Sequence, residues 1–247
     1  MVGARLAVGF LTVLPAGRLD GLGDAWLSRA AVWFPVVGAL VGGVAGGVVA
    51  LGDTAGLSPA VAGALGLVVA IVLTRGLHED GLADTADGLG VHGTRERRLA
   101  AMKDSAVGAH GALAMACALL IAALALAGLD AEHAARALVA AHVLSRTAMV
   151  LTAAALPSAS AEGGLGRGLV VSLPAAAIAS AIAVAGVLAV AGVRDGAVAF
   201  AAGLTVAALA GVVQLRAFGG RTGDTLGAVG KLVEVAALVA LSGAWSS

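Results

Sequence analysis

Glu79, Asp80, Asp84 and Asp87 fall within nine residues, in the stretch GLHEDGLADTADG that runs from Gly76 to Gly88. The whole chain has 15 acidic residues in 247, and 60% of it is hydrophobic. Clustered like charges repel, and near lipid they are costly unless neutralised, so this stretch asks for a cation. On a helix Asp80, Asp84 and Asp87 stand at i, i+4 and i+7, on one face, with Glu79 to the side of it. Hard oxygen donors at that density suit Mg²⁺, which keeps several waters and favours phosphate oxygens. The competing reading is a solvated helix face. Three aligned aspartates without interleaved Lys or Arg argue against it, because such a face destabilises itself. Gly81 and Gly88 leave room for a bulky ligand or another helix to approach.

Further polar residues stand at the edges of apolar stretches. Lys103, Asp104 and Ser105 precede Gly108 and Gly111 and lead into one of them. Asp104 is a candidate fourth metal ligand, and Lys103 suits a phosphate as a point charge. Asp224 opens the last apolar stretch, where a plain N-cap is the alternative. Lys231 and Glu234 project on the same third of that helix as Asp224. An acid as deep as Glu234 is a functional candidate by default, and Lys231 is its simple ion-pair partner. Arg146 lies inside an apolar stretch, to balance the carboxylates, bind phosphate or snorkel. His78 flanks the acids as a hydrogen-bonding group rather than a metal ligand. His110 and His142 have no partner legible in the sequence. There is no zinc spacing, no phosphate-binding GxxxxGK[ST] loop and no Ser/His/Asp set in recognisable context.

These residues need a scaffold, and the composition says which. A mean hydropathy of +1.01 with 12% charged residues is that of a polytopic membrane protein. The expected fold is all-α: one membrane-embedded helix bundle over residues 1–247, with about seven transmembrane helices and an N-terminal interfacial segment. A bilayer core takes roughly 20 apolar residues per helix. The candidates run approximately Ala31–Leu51, Pro59–Thr74, Gly111–Leu129, Ala135–Leu156, Val171–Val193, Ala197–Leu215 and Leu226–Trp245. The second is short. The opening MVGARLAVGFLTVLPAG reads as a retained, partly embedded segment rather than a signal peptide. Net charge is formally zero, so nothing suggests nucleic acid. The single cysteine, Cys117, reads as a buried packing thiol.

Basic residues set the orientation. With the N-terminus cytoplasmic, eleven fall inside (Arg5, Arg18, Arg29, Arg75, Arg95, Arg97, Arg98, Lys103, Arg167, Arg216 and Arg221) and two outside, Arg136 and Arg194. Trp33 and Trp245 then sit near opposite ends of the bundle. The segment 76–110, the SASAEGGLGRG loop and RAFGGRTGDTLG all face the cytoplasm of a cell's inner membrane, as a cytoplasmic active site requires.

At these residues the sequence resembles the adenosylcobinamide-GDP ribazoletransferase (cobalamin synthase) family, over nearly the whole chain. FLTVLP, WFPVVGALVG, HEDGLADTADG, ERRLAAMKDSAVGAHG and GGRTGDTLGAVGKLVE are similar to the family's motifs and come in its order; the acidic stretch is the most specific. The resemblance implies a Mg²⁺-dependent phosphoryl transfer. The ribose 3′-hydroxyl of α-ribazole, or of its 5′-phosphate, attacks the cobinamide-linked phosphoryl of adenosylcobinamide-GDP. GMP leaves and adenosylcobalamin, or its 5′-phosphate, forms. Under that reading Asp80, Asp84, Asp87 and Asp104 are the metal ligands, and Glu79 or Asp224 accepts the hydroxyl proton. Arg146 and Lys103 meet the pyrophosphate, and His78, Ser105 and Glu234 join Arg146 in substrate binding. The partners implied are the two substrates and the lipid bilayer, with a homo-oligomer or other corrinoid-pathway enzymes compatible. One loop departs from the family: Ser158 and Ser160 stand where Tyr and Arg are expected, so no contact from it is carried over.

Three rivals are weaker. A membrane phosphotransferase acting on CDP-alcohols wants Arg where Asp84 stands. A cation transporter would spread its acids through the membrane depth between symmetrically broken helices. A non-catalytic scaffold would not require three aspartates on one face.

Overall fold

The computed structural model describes residues 2–15, 26–159 and 169–245. Within them lie ten helices: α1 Val2–Leu11, α2 Trp26–Ala31, α3 Phe34–Thr54, α4 Pro59–Leu73, α5 Leu77–Gly90, α6 Arg95–Ala101, α7 Ala109–Ala127, α8 Ala131–Ala155, α9 Leu173–Phe218 and α10 Gly223–Trp245. Arg18, Arg167 and Ser160 lie outside the described residues.

Local chemistry sets many of the boundaries. Ser58, Thr94, Asp130 and Ser172 accept hydrogen bonds from the backbone N–H groups three residues on, at the starts of α4, α6, α8 and α9. Five helices are long and apolar enough to cross a membrane, or six if α4 and α5, bent by 85°, form one broken span. The protein is therefore a multi-pass helical membrane protein, and its outward faces carry exposed Leu113, Leu120, Leu124, Leu204 and Leu209 for lipid.

The two stretches expected at 171–193 and 197–215 join as α9, whose 46 residues would run about 69 Å if straight, over twice a bilayer core. They do not run straight. Gly192 takes φ 74° and ψ −179°, a conformation that excludes a side chain. Beyond it the chain doubles back, for Leu188 Cδ2 lies 3.3 Å from where a Cβ on Gly196 would stand. Arg136 Nε donates to the Val190 carbonyl at 2.7 Å, satisfying a carbonyl at the break.

Packing runs through small residues. Gly38, Gly42 and Gly46 form a stripe on α3 that meets the α8 backbone at His142, Leu138 and Ala135 in turn, so the two helices are antiparallel and in backbone contact. Such contact replaces the hydrophobic drive that lipid cannot supply. Around α8 gather α3, α9 and α10, and α8 is buried along most of its length. Cys117 corrects the sequence expectation. It is exposed, because α7 sits at the periphery and shows much of its circumference.

The bundle has two unlike ends. At one, Trp245 Nε1 donates to Asp195 Oδ2 at 2.7 Å, and His133 lies beside Trp245. At the other, α4 turns into α5 through Arg75 and Gly76, both left-handed with φ 57° and 65°. Arg75 is held there by donating to the Gly9 and Thr12 carbonyls, each at 3.3 Å. That bend turns α5 by 85° from α4 and onto the first turns of α10.

Candidate active site

The acidic stretch is a helix, as expected, and it packs on the first turns of α10. Gly81 makes the approach possible: a Cβ there would stand 2.6 Å from the Asp224 carbonyl and 3.1 Å from Gly227 Cα. The contact brings Asp80 and Asp224 to one cleft, walled by Leu77, Leu226, Phe10 and Met149. Asp84 follows Asp80 by one turn on the same face. Among the described residues, neither the Asp80 nor the Asp84 side chain has a hydrogen-bonding or ionic partner. Partial burial, reinforced by the carboxylates of Asp80, Asp224 and Asp87, pushes the Asp84 carboxyl up to about 6. Among the described residues no basic side chain offsets that repulsion, and an acid cluster of this kind marks a functional site.

Asp87 does different work. Its Oδ2 accepts from Gly108 N–H at 2.7 Å and its Oδ1 from Gly111 N–H at 2.9 Å. It thereby caps α7 from a neighbouring helix, close to the positive end of the helix dipole. Asp104 Oδ1 accepts from Ala106 N–H at 3.0 Å and closes its own turn. Lys103 and Ser105 are exposed on the same loop, with side chains free to meet a ligand.

Glu79 points the other way, into the bundle. Lys231 Nζ lies 2.8 Å from Glu79 Oε1 and 2.7 Å from Glu234 Oε1. Glu234 Oε2 is 3.2 Å from His142 Nδ1 and 3.4 Å from Arg146 Nη1. Arg146 Nη1 also reaches His142 Nδ1 at 2.7 Å and Ser145 Oγ at 3.1 Å. Two cations and two carboxylates then balance in a site almost closed to solvent. His78 lies beside them, and among the described residues both its ring nitrogens are unpaired, as are Glu79 Oε2, His142 Nε2 and Arg146 Nε. Buried polar atoms left open so close together are the usual surroundings of internal water.

The sequence-derived site therefore divides in two. Asp80 and Asp224 line the cleft and Asp84 lies near enough to feel both charges, whereas Glu79, His78, Arg146 and Glu234 enter the buried network. His142 and Ser145 belong to that network and were not anticipated. The signal available was weak: His142 and Arg146 are spaced i, i+4 on one face, but their common partner Glu234 is 88 residues beyond Arg146.

Among the described residues no three His, Cys, Asp or Glu side chains stand as a ready metal cage. The donors fit Mg²⁺ by chemistry nonetheless. They are hard oxygens without counter-charge from the described residues, and Mg²⁺ commonly binds through one or two carboxylates together with substrate phosphates and waters.

Comparison with known proteins supports the same identification. A family model for cobalamin-5-phosphate synthase matches residues 3–242. The adenosylcobinamide-GDP ribazoletransferase of Mesorhizobium japonicum is 42% identical over 98% of this chain and 93% of its own. Those of Leptothrix cholodnii and Azorhizobium caulinodans are 41% and 40% identical, over 97% and 96% of this chain and 95% and 93% of theirs. No solved structure matches. With the family model covering nearly the whole chain and relatives of about 40% identity along nearly their full length, the chain belongs to the adenosylcobinamide-GDP ribazoletransferase family, enzymes of the final step of cobalamin biosynthesis.

Proposed function

We propose that the cleft between α5 and the start of α10 is where adenosylcobinamide-GDP and α-ribazole, or its 5′-phosphate, are joined, with Mg²⁺ held by Asp80 and Asp84. The observation that carries this reading is the convergence of Asp80, Asp84 and Asp224 on one region with no basic partner among the described residues. Mg²⁺ there would neutralise the pyrophosphate and stabilise charge on the attacking and leaving oxygens. Asp224 reaches the cleft from a separate helix and is the residue placed to take the ribose 3′-hydroxyl proton. Glu79, with one oxygen on Lys231, is left to structure. Asp87 holds the start of α7 and thus the loop that carries Lys103, Asp104 and Ser105. Lys103 on that exposed loop contributes positive charge to the diphosphate. The ribose oxygen forms the new bond to the cobinamide-linked phosphorus as its bond to the GMP oxygen breaks. The basic end of the bundle, with the cleft, faces the cytoplasm.

Purified protein, adenosylcobinamide-GDP, α-ribazole and Mg²⁺ test this directly. GMP and corrinoid product should appear in equal amounts, stop with excess chelator and resume when Mg²⁺ is restored. Full turnover in chelator, with no metal retained by the protein, would remove the metal from the account.

A further inference from the structure

Glycines let α5 and α10 touch, but they do not say where along each other the helices stop. Gly81 meets Asp224 and Gly227, and Gly227 in turn meets the Leu77 carbonyl. A backbone-on-backbone interface of this kind is smooth, and it sets distance better than register. The register matters here, because Asp80 and Asp84 ride on one helix and Asp224 on the other.

We propose that Lys231 is a positioning residue: by bridging Glu79 of α5 and Glu234 of α10 it locks the slide of α5 along α10 and so aligns Asp80 and Asp84 with Asp224. The proposal rests on the cleft being the reaction site, but its structural half stands without that reading. Lys231 is 2% exposed. It lies seven residues beyond Asp224, two turns along the same face of α10. Glu79 directly precedes Asp80. The ion pair of Lys231 with Glu79, at 2.8 Å, is the ionic link between α5 and α10 among the described residues. Its second arm, at 2.7 Å to Glu234, ties the ammonium back to its own helix, and Glu234 is fixed further by Arg146 and His142 on α8. The lysine is therefore anchored on the α8–α10 side and reaches out to α5. Register specification is the best-attested use of a buried polar contact between helices.

The test reads helix register and activity separately, in protein with Cys117→Ser. Leu82 of α5 and Ala228 of α10 share one small apolar cluster with Ala118 of α7, so L82C/A228C reports native register by disulfide formation. The pair L82C/L232C, about one turn further along α10, reports a slide. With Lys231 present the first pair should cross-link and the second should not. Lys231→Met should spread cross-linking over both. It should also raise the Mg²⁺ concentration for half-maximal GMP release at least tenfold, measured on detergent-extracted protein of a single gel-filtration peak. If that variant does not extract, Glu79→Ala removes only the arm to α5 and should give the same two changes. The double variant Glu79→Gln/Lys231→Met decides between charge and position. Neutralising the pair together leaves no unpaired charge, so a purely ionic role predicts wild-type behaviour, whereas a positioning role predicts that the defect persists. Cross-linking confined to the native pair in Lys231→Met or in Glu79→Ala would overturn the proposal, whatever the assay shows. A slide with an unchanged Mg²⁺ requirement would instead separate Lys231 from the cleft, and would count against the cleft as the metal site.

Discussion

The α-carbon of Gly81 faces the carbonyl of Asp224 so closely that a methyl group added there would stand 2.6 Å from that oxygen. The acidic helix and the helix that supplies the opposing aspartate are in contact through their backbones, with nothing between them to yield. Gly81→Ala should therefore push α5 away from α10. Overpacking of this kind costs about 1–3 kcal/mol, and misplacing reacting groups by about 1 Å can cost roughly a hundredfold in rate. The variant should insert into membranes, with lowered thermal stability and a large loss of GMP release. Wild-type turnover would show that the contact does not position the site.

A second expectation follows from the lack of a ready metal cage. Mg²⁺ should bind the protein weakly alone and much more tightly with the diphosphate substrate, which brings its own oxygens. Mn²⁺ as a spin probe should show at least a tenfold increase in affinity when adenosylcobinamide-GDP is added. Equal affinity with and without it would mean that the protein alone completes the coordination.

The raised Asp84 carboxyl predicts a pH dependence. Its ordinary value is 3.8 and its value in the folded protein is about 6, so ionising it works against the fold. Stability of the metal-free protein from this group is greatest below pH 3.8, and falls as the pH rises to about 6. Mg²⁺ binding has the opposite slope, since the cation requires the ionised form. Below pH 6 apparent Mg²⁺ affinity should fall about tenfold per pH unit from this proton. Asp84→Asn should flatten both slopes.

Much of this was legible from residue types. The acidic helix, the apolar stretches and the motif order could be read directly, because periodicity and charge are local. What could not be read depends on which helices become neighbours. Glu79 and Asp80 are adjacent in sequence yet serve a buried ion pair and an open cleft. Asp87 shares the face of Asp80 and Asp84, but the start of α7 occupies both its oxygens. Cys117 looked buried by its neighbours' composition and is exposed because α7 is peripheral. The turn at Gly192 was expected a few residues later, at the polar Arg194–Asp195, since a glycine inside an apolar run gives little warning.

The sidedness of the bundle gives a topology prediction. Cysteines at Thr94 and Asp195, placed singly in protein with Cys117→Ser, should be labelled from opposite sides: Thr94 from the cytoplasm, Asp195 from outside. Thr94 reached only from outside would reverse the orientation.

The central claim is that Asp84 belongs to the carboxylate set holding the metal, and one comparison tests it most directly. Asn at that position keeps the shape and one carbonyl oxygen but removes the charge a hard cation requires. GMP release by wild type and Asp84→Asn should be measured at equal membrane abundance across a Mg²⁺ titration. The account predicts that the variant inserts normally, is slightly more stable without metal because the repulsion with Asp80, Asp87 and Asp224 is relieved, and loses activity by about two orders of magnitude or more. Wild-type turnover at ordinary Mg²⁺ would contradict it and take Asp84 out of the metal site.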